Sequence, residues 1–233
     1  MDSKAIIHKT RQDYNLIAAK FSGTRFDLWE ELKPFKKLIK DGQSILDWGC
    51  GNGRLIFLFQ DKKIKYFGLD QSEELLKIAK IKWTKEIVDG KVSFFHTAIQ
   101  DKKFDDNFFD LAFLIASFHH LPDEQTRLDL LNKIYKELKF GGKVIITVWN
   151  LESDWAKDKL KKDWKKIGEN DFFIPWKSQD GEVLSERYYH HFSEVELRNI
   201  LQKTGFKNIE MSYDSSGEFT DKTGRNLVAI AEK

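Results

Sequence analysis

A short apolar run, Ser44–Asp47, passes directly into Asp47-Trp48-Gly49-Cys50-Gly51-Asn52-Gly53, and a helical pattern from Arg54 to Gln60 follows. Three alternate glycines between a strand and a helix narrow what this chain can fold into. They permit a sharp turn and let backbone approach a ligand closely, as in the first turn of a nucleotide-binding strand–helix–strand unit. The spacing is G-x-G-x-G with an acid two places before the first glycine, whereas the dinucleotide fingerprint is G-x-G-x-x-G. A second acid, Asp70, ends the next strand candidate, Lys65–Asp70. There a carboxylate can accept hydrogen bonds from both hydroxyls of a ribose. A bare turn with no ligand is the competing reading, and the paired acids weigh against it.

The rest of the chain extends this unit into a sheet. Lys91–His96, Phe109–Ala116 and Lys143–Trp149 are further strand candidates. Helical runs lie at Ser72–Lys85 and at Asp123–Leu138, where Leu128, Leu131, Ile134, Tyr135 and Leu138 share a face. Apolar strands alternating with helices predict a parallel sheet covered on both sides. Gly141-Gly142 reads as the stop of the last of these helices. Upstream, Tyr14, Ile17, Ala18 and Phe21, then Leu28, Leu32, Phe35 and Ile39, recur at helical spacing. Downstream, Ser193 and Glu196 form a capping box, and Lys207–Tyr213 with Asn226–Glu232 read as a strand hairpin. The expectation is one α/β domain over residues 1–233 with a Rossmann-like, seven-stranded, mostly parallel sheet, a C-terminal antiparallel hairpin and helices on both faces. Residues 1–40 form a helical cap, 41–150 a cofactor-binding half and 151–233 an acceptor-side half.

Composition excludes little. The 233 residues hold 39 basic and 37 acidic side chains, a net charge of +2, which argues neither for nor against nucleic acid. Cys50 is the single cysteine, so no internal disulfide framework is available and a reducing compartment is expected. No apolar run approaches the roughly 20 residues of a membrane span. The first residues, with Lys4, His8, Lys9 and Asp13, lack the apolar core of a signal peptide. A cytoplasmic protein without membrane contact is expected, and no metal site is read.

The Asp47–Gly53 segment together with Asp70 resembles motifs I and II of S-adenosylmethionine-dependent methyltransferases. The resemblance implies S-adenosylmethionine as cofactor and S-adenosylhomocysteine as product. It places Gly49 and Gly51 beside the methionine part, and Asp70, with Gln71 next to it, on the ribose. Asp47 would order the loop and face the ammonium end. Ala98-Ile99 stands where such enzymes contact adenine; lacking the acid that many relatives have there, it would use backbone, with Ile99 packing on the ring. Ile115 would end its strand beside the sulfonium. Arg25 is expected on the cofactor's carboxylate rather than in a surface ion pair. Ser72 reads as a helix cap and Cys50 as a small loop residue.

The acceptor side is more specific. Arg187-Tyr188-Tyr189-His190, preceded by Ile174-Pro175-Trp176, resembles the eukaryotic tRNA wobble-uridine carboxymethyl methyltransferases. Tyr14 through Trp29 (with Thr24-Arg25), Ser117–Leu121 around His119-His120, and Gly141-Gly142-Lys143 leading to Val148-Trp149 agree with this, so the resemblance covers nearly the whole chain. It implies esterification of the carboxylate of 5-carboxymethyluridine in tRNA. Such an acid, with a pKa of about 4, is already ionised at neutral pH and needs no general base. Catalysis then rests on alignment. Arg187 would hold the non-attacking oxygen or a flanking phosphate. Tyr188, Tyr189 and His190 would shape the uridine pocket, and His120 would touch the acceptor. Tyr189 reads equally as a core aromatic, and either histidine as structural.

That family works with a small zinc-containing activator, so tRNA and a small activator subunit are the expected partners. Trp155–Ile167 reads as a helix with Leu160, Trp164 and Ile167 on an apolar stripe and six lysines around it. Such a segment is equally a solvated face or a grip on tRNA phosphates. Two other functions stay open: a small-molecule methyltransferase acting on a carboxylate or hydroxyl, and a catalytically silent tRNA-binding or partner protein.

Overall fold

The computed structural model describes residues 2–25, 27–97, 102–215, 218–220 and 224–233. Helix α1, Ser3–Gly23, and a 3₁₀ segment, Glu30–Leu38, precede the sheet. Then follow β1 Ser44–Trp48, a 3₁₀ segment Arg54–Phe59, β2 Lys65–Asp70, α2 Glu73–Lys82, α3 Thr84–Val88, β3 Val92–His96 and β4 Phe109–Ile115. Helix α4 spans Glu124–Glu137 and β5 spans Leu138–Trp149. The second half comprises α5 Asp154–Leu160, β6 Lys165–Lys166, β7 Asp171–Lys177, β8 Val183–His190, α6 Glu194–Thr204, β9 Lys207–Ser215, β10 Glu218–Thr220 and β11 Asn226–Glu232.

The main sheet has the strand order β10-β9-β11-β5-β4-β1-β2-β3. Strands β1 to β5 pair parallel, and β11 inserts antiparallel between β5 and β9. This is the expected seven-stranded layout with one short edge strand, β10, added. Successive residues of a strand face opposite layers, so Ile45 and Leu46 enter separate cores. Leu46, Ala112, Ile134 and Leu201 pack on one face of the sheet; Ile45, Leu76, Phe113 and Ile145 pack on the other. Helix starts follow the sequence: Ser72 Oγ accepts the Leu75 amide, Asp123 the Thr126 amide and Ser193 Oγ the Glu196 amide. Because β1 lies between β4 and β2, the loops leaving it and its neighbour diverge. The divergence opens a crevice at the carboxyl ends of the strands, where ligands bind in such sheets.

Three local expectations are corrected and one small sheet is added. Gly141-Gly142 does not stop α4, which already ends at Glu137; both glycines lie inside β5. There the register against β4 shifts between Phe109 and Leu111, and Gly141 takes φ +75, so the pair forms a bulge. Arg54–Phe59 winds as a 3₁₀ helix rather than an α-helix. Trp155–Ile167 is not one helix: α5 ends at Leu160, and Lys165-Lys166 pair with β7 as a strand. Trp149, Trp155 and Trp164 pack together, with Trp149 and Trp164 stacked at 6.0 Å, and that packing overrides the helical spacing. Finally, Ile174-Pro175-Trp176 and Arg187–His190 sit on β7 and β8 of a small β6-β7-β8 sheet that the sequence pattern does not announce.

Candidate active site

The glycine loop after β1 is shaped by contacts that only glycine allows. Gly49 sits at φ +77, and a Cβ there would stand 2.4 Å from Ser117 Cβ. Its amide and that of Cys50 donate to the Leu69 carbonyl at 2.7 and 3.0 Å, which ties the loop to the end of β2. Asp70 completes the tie: the Gly51 amide donates to Oδ2 and the Ser72 amide to Oδ1, both at 2.7 Å. Burial raises the pKa of the Asp70 carboxyl, while these backbone donors pull the other way. Each oxygen keeps a lone pair for a ligand hydroxyl.

Asp47 lies deeper, 2% exposed, and accepts the Tyr66 hydroxyl hydrogen bond at 2.6 Å. Burial pushes its pKa up to about 7; the neighbouring Asp70 adds to the rise, while Tyr66 and Arg54 oppose it. An acid whose pKa is raised on folding favours the fold when protonated and loses that advantage as pH rises through the folded value. Asp47→Asn, measured without ligand, is therefore expected to gain stability relative to the parent between about pH 4 and 7. Above that window the two melting curves should run parallel, offset by a few kcal/mol. Thermal melts that stay parallel from pH 4 to 8 would contradict the buried, ionisable Asp47.

Asp47, Gly49, Gly51, Asp70, Gln71, Ile115, Arg25, His120 and Arg187 all line one pocket with about 1110 Å³ of open space, its mouth included. Ala98 and Ile99, the expected adenine contacts, lie outside the described residues. The lining fits S-adenosylmethionine by its chemistry. A Cβ at Gly51 would meet no atom closer than 4.0 Å, so the pocket side of the loop is free for a ligand. Asp70 offers acceptors for ribose hydroxyls, and cations without acidic partners await the amino-acid end.

Those cations form a ladder along one wall. The Arg54 guanidinium lies 3.4 Å from the Trp29 ring centre, and Arg25 lies 5.8 Å from the same ring. Arg25 also sits 4.8 Å from Trp176, whose ring has Arg187 at 5.1 Å. Arg187 is 3% exposed and donates one hydrogen bond among the described residues, from Nη1 to Tyr14 Oη at 3.3 Å. None of the three forms an ion pair with a carboxylate among the described residues. Burial, with the Arg25 charge beside it, lowers the pKa of Arg54 to about 9. The motifs alone do not single out Arg54 and Trp29; an arginine directly after the last loop glycine is the signal for the first of them.

The two histidines differ. His120 Nδ1 lies 2.7 Å from the Tyr188 carbonyl, which only accepts, so Nδ1 carries the proton. Nε2 then accepts from the Tyr14 hydroxyl at 2.8 Å, and Tyr14 in turn accepts from Arg187. Burial lowers the pKa of His120 to about 3. His120 thus lines the pocket with both nitrogens committed to protein, and it aligns Tyr14 and Arg187. His119 Nδ1 accepts the Trp149 amide at 3.3 Å, and its Nε2 is buried without a partner among the described residues.

Strand β8 separates the Arg-Tyr-Tyr-His run. Arg187 and Tyr189 line the pocket; Tyr188 and His190 do not. Alternate side chains leave a strand on opposite faces, and the other face of β8 meets Asp171 and α6. The Tyr188 hydroxyl donates to Asp171 Oδ1, and His190 places Nδ1 2.8 Å from that oxygen and Nε2 2.8 Å from Glu196 Oε1. Arg127 Nη1 joins Glu196 at 3.2 Å. Tyr188 and His190, expected at the acceptor, instead tie the small sheet to the body of the protein. Tyr189 stacks on Trp149, with ring centres 4.7 Å apart and planes 25° apart, and packs against His119 with ring centres 4.6 Å apart, so it borders the pocket as a buried ring of an aromatic cluster.

Comparison with known proteins agrees with this geometry. A family described as a methyltransferase domain matches residues 39–205. A Schizosaccharomyces pombe protein named tRNA (carboxymethyluridine(34)-5-O)-methyltransferase is 29% identical over 87% of this chain and 90% of its own length. A Xenopus tropicalis relative with the same activity in its name is 26% identical over 91% of this chain, which spans only 40% of that longer protein. Among solved structures, a Methanosarcina mazei S-adenosylmethionine-dependent methyltransferase superposes with TM-score 0.68 at 21% identity, covering 89% of this chain and 98% of that one. A Haloferax volcanii methyltransferase, solved with the Trm112 activator, gives TM-score 0.71 at 17% identity and covers 96% of both. With the family matched over most of its length and a loop shaped for the cofactor, this chain belongs to the methyltransferase-domain family and is an S-adenosylmethionine-dependent methyltransferase.

Proposed function

We propose that the enzyme esterifies the carboxylate of 5-carboxymethyluridine at the tRNA wobble position. The unpaired arginine ladder carries this reading. The pocket is lined by Arg11, Arg25, Arg54 and Arg187 against two carboxylates, Asp47 and Asp70. Asp70 is occupied by backbone amides, and burial raises the pKa of Asp47 to about 7. The cofactor adds a further net positive charge, so an acceptor that balances the site is an anion. An amine acceptor would add to the excess of cations.

When bound, S-adenosylmethionine supplies a methyl group on a sulfonium sulfur. Arg187 holds one carboxylate oxygen of the acceptor through its fork and leaves the other free as the nucleophile. Tyr14 and His120 fix the Arg187 guanidinium in place. Tyr189 and Trp149 line the pocket and would border the uracil. Burial keeps both histidines neutral and weakly basic, which suits a nucleophile that arrives already ionised. Relatives named for this reaction support the reading. The neighbour solved with an activator supports a small activator subunit as a partner, and a tRNA substrate accords with a cytoplasmic setting. No helix among the described residues is long and apolar enough to cross a membrane.

At saturating cofactor, the single-turnover rate on carboxymethylated tRNA should stay nearly flat between about pH 6 and 9, because the acceptor's pKa is about 4. A rate climbing log-linearly across that range would indicate deprotonation of a hydroxyl or ring nitrogen. Turnover of a small carboxylic acid with tRNA absent would favour the small-molecule reading instead.

A further inference from the structure

We propose that α1 is the surface that grips the RNA backbone beside the pocket, with Lys4 and Arg11 contacting phosphates that flank the acceptor nucleotide. This rests on the tRNA reading above and says which face of the protein the strand crosses. Ser3–Gly23 carries four basic residues, Lys4, Lys9, Arg11 and Lys20, against Asp13 alone. That is a net +3, whereas the whole chain nets +2, so the remainder is slightly acidic. Lys9 is neutralised by Asp13 at 2.8 Å, while Lys4 and Arg11 have no ion pair or side-chain hydrogen bond among the described residues.

Position adds to charge. Lys4, His8 and Arg11 stand at i, i+4 and i+7 and share one side of the helix. The stripe is about 10 Å long at the α-helical rise. Its outer end, Lys4 and His8, is exposed, and its inner end, Arg11, is half-buried and lines the pocket. The helix is also pre-positioned on both sides of the site. Asn15 Oδ1 accepts the Ser72 hydroxyl at 2.8 Å next to the cofactor loop, and the Tyr14 hydroxyl reaches His120 on the acceptor side. The stripe therefore leads from open surface to the mouth in a fixed direction.

The lysine-rich segment is the weaker candidate once its surroundings are counted. Residues 154–186, from α5 through the first half of β8, hold seven lysines against eight acidic residues. Lys177 is paired with Asp163 at 2.7 Å, and the lysines are split between a two-turn helix, a turn and a two-residue strand. The field there is close to neutral, and phosphates are drawn to α1.

The test is tRNA affinity as a function of salt, with thermal melting measured in parallel to report an intact fold, because Arg11 itself lines the pocket. Each contact to a single-stranded phosphate contributes about 0.7 to the log–log slope. Lys4→Ala combined with Arg11→Ala should lower the slope by about 1.4, which is ~25-fold weaker binding at 0.1 M salt relative to 1 M. Arg11→Lys should keep the slope. Replacing Lys161, Lys162, Lys165 and Lys166 by Ala should leave it unchanged. A slope that survives the Lys4/Arg11 change, or falls only in the four-lysine variant, overturns the α1 surface and leaves the wobble-uridine reading standing. The parent protein should bind tRNA with and without the carboxymethyl group at the same slope, because phosphate contacts do not read the base. Absence of tRNA binding, together with methylation of a free carboxylic acid, overturns both.

Discussion

Arg187→Lys should leave S-adenosylmethionine affinity unchanged and lower methyl transfer by about ten- to a hundred-fold, the rate equivalent of roughly 1.4–2.7 kcal/mol of lost positioning. The substitution keeps the charge and removes the planar fork. Arg187 is buried between Trp176 at 5.1 Å and Tyr189 at 5.2 Å and is tied to Tyr14, so the guanidinium plane is set before the acceptor arrives. A lysine ammonium loses the stacking and the planar set of N–H donors, so it fixes the direction of the one carboxylate oxygen it holds less well. Calorimetry with the cofactor and single-turnover transfer to tRNA separate the two effects. Equal losses in both would place Arg187 in the cofactor site rather than the acceptor site.

Asp70→Ala should weaken S-adenosylmethionine binding by about 100-fold or more. Hydrogen bonds to a charged group contribute roughly 1.5–3 kcal/mol each, and two ribose hydroxyls are expected on this carboxylate. The same oxygens already hold the Gly51 and Ser72 amides, so the change also loosens the loop that faces the cofactor. The protein should nonetheless fold, since the core beneath β1 and β2 is untouched. Unchanged affinity by calorimetry would remove this loop from the cofactor site.

What the sequence made legible follows from where each constraint lies. The loop from Asp47 to Gly53 and the place of Asp70 are set by local backbone geometry, visible as Gly49 at φ +77 and its close approach to Ser117. Apolar strands bounded by turns located β1 to β4 within a residue or so. The phase of β8 was not legible, because Arg187, Tyr188, Tyr189 and His190 are all buried and no polar face marks which way each points. Asp171 and Glu196, distant in sequence, decide that His190 turns away from the pocket. The fate of His120 depends in the same way on Tyr14, 106 residues away along the chain. The Lys165-Lys166 strand was hidden because tryptophan packing from β5 and α5 outweighs the spacing of Leu160, Trp164 and Ile167.

The most direct test of the account is nucleoside mass spectrometry of tRNA carrying 5-carboxymethyluridine after incubation with this protein and methyl-labelled S-adenosylmethionine. The account predicts that the label appears in the wobble nucleoside as a methyl ester. Mild alkali should release it as methanol and regenerate the carboxylic acid. Label that resists alkali, on a ribose oxygen, a ring nitrogen or any nucleoside other than the carboxymethylated uridine, would contradict it.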